Sequence, residues 1–209
     1  MDKLIKEIEK LKKSGLKKII DSRIKEFEIA GKKDCKEIFK EMCFCLMTAN
    51  FQAEKSWLIQ KKIDNGFCSF SQAKLAKALK DLGHRFPNTR ANFISEAQKQ
   101  SGTIKKTINS FENEYELREW LVKNIKGYGY KEASHFLRNI GYKNLAILDR
   151  HIINLMREHN IIKEVPKTLT KNKYLEIEKE LNKVAEKTDL SMAELDFYMW
   201  YQKTGKILK

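Results

Sequence analysis

One helical rhythm runs through nearly the whole chain, and it constrains the fold more than any other feature. Apolar residues recur every three to four positions, the spacing that puts them on one face of an α-helix. Amphipathic, charged patterns cover 2–13 and 16–31. Residues 35–49 are more apolar, with Ile38, Met42, Cys45, Leu46 and Ala49 at helical spacing, which predicts a buried helix. Further helices are predicted over 52–63 after a break near Asn50, and over 72–81 behind a Ser71 cap, with Gly66 ending the segment between them. Others follow over 88–100, 103–110, 114–125, 130–140, 149–159 and 171–187, and a last one opens at Ser191 with the capping-box pattern Ser191-x-x-Glu194. Pro87 makes 83–87 a loop, because proline disfavours helix at Phe86. No alternating stretch reads as a strand. With only 9 Gly and 2 Pro in 209 residues, tight turns are scarce, and the fold class is all-α.

Composition narrows the partner. The chain carries 42 Lys+Arg against 28 Asp+Glu, a net charge of +14. That balance points to a polyanion, most simply nucleic acid, although a lysine-rich solvating surface gives the same count. No apolar run approaches the roughly 20 residues that span a bilayer. Cys35, Cys43, Cys45 and Cys68 match no zinc or iron–sulfur spacing and read as structural thiols in a reducing compartment. Residues 1–13 do not read as a signal peptide.

The chemistry concentrates in KGYGYKEASHFLRNIGYKNLAILDRH, residues 126–151. Residues 117–140 read as helix, Gly-x-Gly turn, helix. Such a turn presents backbone N–H groups, and the helix start behind it adds partial positive charge, so Lys126, Gly127 and Gly129 form a candidate phosphate site. Simple helix packing accounts for the same turn. Lys131 falls in the first helical turn, where the macrodipole disfavours a cation. A partly desolvated amine there would be a nucleophile, while most of the 35 lysines must be surface solubilisers. Asp149 reads as the N-cap of the next helix, and a capping carboxylate held by N–H groups is also suited to stabilising an oxocarbenium ion.

Taken with residues 43–51 (CFCLMTANF), 82–86 (LGHRF), 161–167 (IIKEVPK) and the block Leu195-Asp196-x-Tyr198-x-Trp200-Tyr201, this segment resembles the helix–hairpin–helix DNA glycosylases. Within that superfamily it is most similar to the archaeal-type 8-oxoguanine DNA glycosylases. The matching blocks span most of the chain in order.

The resemblance implies two helical subdomains flanking a DNA-binding cleft, 36–148 with the hairpin at 117–140, and 1–35 plus 149–209. It implies a bifunctional enzyme in which Lys131 attacks the sugar of a flipped 8-oxoguanosine and Asp149 assists. Lys126, Gly127, Gly129 and His151 would contact phosphates, and Asn50 would fill the gap in the duplex. Phe86 and Trp200 would sandwich the base, and Asp196 with Lys209 would help recognise it. As residues alone, Phe86 and Trp200 also fit core aromatics, and Asp196 fits a helix-surface charge. Tyr128 departs from the smaller aliphatic usual between the hairpin glycines. The implied protein is monomeric, cytoplasmic and nucleoid-associated. It needs no cofactor and no catalytic metal, with room for a monovalent cation on hairpin carbonyls, and its partner is damaged duplex DNA. Two other readings are a glycosylase for another oxidised base and a non-catalytic DNA-binding module.

Overall fold

The computed structural model describes all 209 residues, and every regular element in it is helical. Two hydrophobic cores organise the helices. The first is built by α3 (Cys35–Thr48), α4 (Ala53–Ile63), α5 (Gly66–Ser69), α6 (Gln72–Asp81), α7 (Pro87–Ala97), α8 (Ile104–Asn109), α9 (Glu114–Asn124) and α10 (Tyr130–Asn139). The second is built by α1 (Asp2–Lys12), α2 (Leu16–Lys32), α11 (Arg150–Glu158), α12 (Lys171–Thr188) and α13 (Met192–Thr204). The chain enters the second core, makes the whole of the first, and returns at Ala146.

Helix α3 is the axle of the first core. Met42 through Thr48 are all buried, so this helix contacts neighbours on every side. That is why Cys43 and Cys45, two residues apart, are both fully buried free thiols. The two cores meet where α2 crosses the end of α10. A Cβ on Gly31 would stand 2.1 Å from the Ile140 carbonyl oxygen, so only glycine permits this approach.

Caps fall where short polar side chains precede apolar runs. Ser71, Asp149, Thr170 and Ser191 each accept a backbone N–H of the following first turn. Pro87 sits at the first position of α7 with Phe86 as its N-cap, and this helix passes into a 3-10 turn at Gln98–Gln100 rather than running to 100 as one element. Gly66 does not end α4. The helix stops at Asp64, held at φ +44° with its carboxylate 2.6 Å from Lys40 Nζ. Gly66 instead opens the one-turn α5 beneath the Phe70 ring, where a Cβ would sit 2.7 Å from the ring edge. No helix is long and apolar enough to cross a membrane.

Candidate active site

A cleft of about 1050 Å³ is lined by residues of both cores. It gathers Lys131, Asp149, Asn50, Phe86, His151, Asp196, Trp200 and Lys209. Lys126, Gly127 and Gly129 stand outside it, on the hairpin turn that leads to Lys131.

The hairpin consists of α9, a five-residue turn and α10. Gly127 adopts φ +92°, and a Cβ there would lie 2.3 Å from the Phe93 ring, so both its conformation and its surroundings require glycine. Gly129 has ordinary extended backbone and caps α10. Its N–H donates to Glu132 Oε2 at 3.3 Å, half of a capping box that glycine has no side chain to complete. Tyr128 turns inward between the glycines, buried, and its hydroxyl donates to the Met42 carbonyl at 3.0 Å. The larger residue thus anchors the turn to α3. Lys126 is exposed.

Lys131 occupies the second position of α10. Its side chain is 21% exposed, and the nearest carboxylate oxygen is Glu132 Oε1 at 3.7 Å. Glu132 offsets the unfavourable meeting of a cation with the helix N-terminus. Asp149 caps α11 through Oδ1, which accepts the Ile152 N–H at 2.9 Å. Its other oxygen makes no hydrogen bond within the protein and stays free for a partner in the cleft.

The remaining wall combines aromatic and charged groups. Phe86 is half-buried and placed by His84, whose Nδ1 accepts the Phe86 N–H at 3.0 Å while Nε2 donates to the Met47 carbonyl at 3.1 Å. Burial lowers the His84 pKa, in keeping with a neutral ring making both bonds. Trp200, which also lines the cleft, meets His151 edge-on with ring centroids 5.0 Å apart. Asn50 is exposed just beyond α3 at φ +56°, a conformation asparagine tolerates. The adjoining Ala49 carbonyl is gripped by Arg90 at 2.5 Å.

Asp196 is ion-paired with buried Arg138. Burial pushes its carboxyl up to about 6; Arg138 opposes the rise and the Asp149 charge adds to it. Lys209 extends its ammonium to Glu41 at 2.6 Å and lies 4.6 Å from the Phe44 ring centroid. His135 is buried beside these groups, and burial together with the charges of Arg138 and Lys131 depresses its pKa well below the usual imidazole value. An amine, a carboxylate with a free oxygen, two aromatics and several charged groups thus line one space.

The profile of the 8-oxoguanine DNA glycosylase family matches residues 20–190. The 8-oxoguanine DNA glycosylase/AP lyase of Methanocaldococcus jannaschii is 53% identical over 206 residues, 99% of each chain. The chain belongs to the 8-oxoguanine DNA glycosylase family. The protein of the same description from Korarchaeum cryptofilum is 47% identical over 100% of this chain and 99% of its own. A crystal structure of the Methanocaldococcus enzyme with a 15mer DNA containing 8-oxoguanine superposes with a TM-score of 0.97, covering 99% of both chains. The Thermotoga maritima glycosylase structure gives 0.94 at 41% identity, covering 100% of this chain and 99% of that one.

Sequence reasoning missed several cleft residues of this glycosylase-family chain. His135 and Arg138 follow the predicted Lys131 at i+4 and i+7, on one face of α10. A polar stripe normally faces water, so the sequence signal was present but its direction was not. Glu132 carried no capping-box signal, because Gly129 stands where Ser or Thr would. Glu41, which pairs with the cleft residue Lys209, gave no signal, being one of two glutamates in a largely apolar helix.

Proposed function

We propose that the chain excises 8-oxoguanine from duplex DNA and then nicks the strand at the resulting abasic site. The observation that carries this reading is the single cleft shared by Lys131, Asp149, Phe86 and Trp200. The cleft is large enough to admit a flipped purine nucleoside, and the relatives are named for this activity.

The lysine amine, in its neutral form, attacks C1′ of the flipped nucleotide. The C1′–N9 bond breaks and the base leaves with the electron pair. Asp149, fixed by its cap bond, stabilises the positive charge that grows on the sugar. Ring opening converts the adduct to an imine, loss of a C2′ proton expels the 3′ phosphate, and water returns the amine. No cofactor is required, because Lys131 supplies the nucleophile. Phe86 and Trp200 stack on the base, and Asp196 and Lys209 line the polar end of its pocket. Asn50, exposed on the rim, fills the space the base vacates. Lys126, Gly127, Gly129 and His151 hold the backbone. The carbonyls of Lys126 and Gly127 accept no backbone hydrogen bond, which fits a monovalent cation in the turn. The protein acts as a monomer on chromosomal DNA in the cytoplasm.

Borohydride trapping on an 8-oxoguanine duplex tests the reading. Wild type gives a covalent complex and Lys131→Gln gives none, with the loss exceeding about 1,000-fold. Trapping that survives the substitution, or preferential release of an oxidised pyrimidine from a lesion panel, would overturn it.

A further inference from the structure

The segment from Leu145 to Leu148 is buried but neither helical nor strand, and it delivers Asp149 to the cleft. Buried backbone polar groups need partners. Here side chains of α12 supply them. Ala146 N–H donates to Glu178 Oε1 at 2.8 Å, and the Ala146 carbonyl accepts from the Tyr174 hydroxyl at 2.6 Å. Leu148 N–H, next to Asp149, donates to the same hydroxyl at 3.3 Å.

Glu178 does not act alone. It forms a two-pronged ion pair with Arg118 of α9, at 2.6 and 2.7 Å, and both side chains are almost wholly buried. Arg118 also donates to Ser134 Oγ at 3.2 Å. Ser134 is fully buried on α10, one turn beyond Lys131. The guanidinium lies among the rings of Tyr115, Tyr130 and Tyr174, at 5.2–5.6 Å. One connected set of groups therefore grips the helix that carries Lys131 and the segment that carries Asp149. None of these groups lines the cleft.

We infer that Tyr174, Glu178 and Arg118 are positioning residues that fix the register of Asp149 against Lys131. The inference rests on the roles given to those two residues above. A buried ion pair adds little net stability over an apolar replacement, but its fork geometry defines distance and orientation closely. Excision needs both groups in register. Imine formation at a preformed abasic aldehyde needs only the amine. Loosening the Asp149 segment should therefore slow excision while leaving the abasic-site reaction nearly intact.

Tyr174→Phe removes one hydroxyl and keeps the ring. Its single-turnover excision from an 8-oxoguanine duplex is expected to slow by about 10-fold or more, with borohydride trapping on an abasic-site duplex within about twofold of wild type. Glu178→Gln should show the same split more strongly where it folds. Thr188→Val is the control, since it removes a buried hydroxyl bonded to the Val184 carbonyl at the far end of α12; both rates should stay near wild type. The assignment is overturned if Tyr174→Phe excises at the wild-type rate, or if it slows both reactions in equal proportion as a smaller folded fraction would. A wild-type protein inert on both substrates would overturn the functional reading and this assignment with it.

Discussion

The two walls of the cleft are made by opposite means. The hairpin wall is local: Lys131 and Glu132 line it, and the turn that sets them, with Gly127 and Gly129, lies within the same six consecutive residues, shaped by backbone conformation and a helix start. The facing wall, α13 and the C-terminal segment, is held by long-range pairs to α10 and α3. Arg138 and Asp196 are 58 residues apart, and Glu41 and Lys209 are 168 apart. A wall written in backbone is broken by adding one methyl group. A wall written in charge pairs is broken by moving one proton.

The largest effect is expected on the local wall. Gly127→Ala forces a Cβ into positive φ and to 2.3 Å from the Phe93 ring. Strain and overpacking together should cost about 3 kcal/mol or more of unfolding free energy in urea melts, with weaker binding to undamaged duplex. Gly129→Ala, two residues on, meets only the end of the Glu132 side chain at 3.2 Å. It should shift stability by less than about 1 kcal/mol. Equal losses from the two substitutions would show that the turn is not specified by backbone conformation.

The long-range wall should respond to pH. The Asp196 carboxyl, raised by burial to about 6, binds its proton more tightly in the folded protein than in the unfolded chain, where about 3.9 applies. Its contribution to stability is therefore full below about pH 4 and is lost as the pH rises through about 6, a swing of about 3 kcal/mol. Asp196→Asn cannot titrate. The difference in unfolding free energy between variant and wild type should shift in the variant's favour by that order from pH 4 to 7. Activity should run the other way, because only the carboxylate pairs fully with Arg138. Excision by wild type should fall on acidification through about 6, and the variant should lack that limb. A pH-independent stability difference would leave the facing wall no more charge-dependent than the hairpin.

The same contrast separates what could be read from the sequence. Helices declared themselves through periodicity, and caps such as Ser71, Asp149 and Ser191 through a short polar residue before an apolar run. The end of α4 did not, because Asp64 takes positive φ where its carboxylate reaches Lys40, a residue 24 positions earlier. Lys131 and Asp149 stood out from their helix-start positions, and several separated blocks read together as one family likeness gave them roles. His135 and Arg138 looked like the solvated face of a helix, since nothing in local sequence says that α13 and the C-terminal segment cover that face. Burial of a charge is a tertiary fact, and the residues that escaped sequence reasoning are those defined by it.

Glu41 gives the smallest and most selective test. Its carboxylate accepts from Lys209 Nζ at 2.6 Å, Gln60 Nε2 at 3.1 Å and Asn139 Nδ2 at 3.3 Å. Glu41→Gln keeps one acceptor oxygen and turns an NH₂ toward a remaining donor. With the oxygen kept toward Lys209 and Gln60, the new NH₂ meets the Asn139 Nδ2 donor, so Asn139 loses one hydrogen bond and Lys209 its counter-charge. Urea melts should show a cost of about 1 kcal/mol, the usual value of one hydrogen bond. Single-turnover excision of 8-oxoguanine should slow several-fold while affinity for undamaged duplex stays unchanged, because the hairpin wall is untouched. A parallel loss of undamaged-duplex affinity would mean that the two walls are coupled, and that Glu41 supports the cleft as a whole rather than the base pocket.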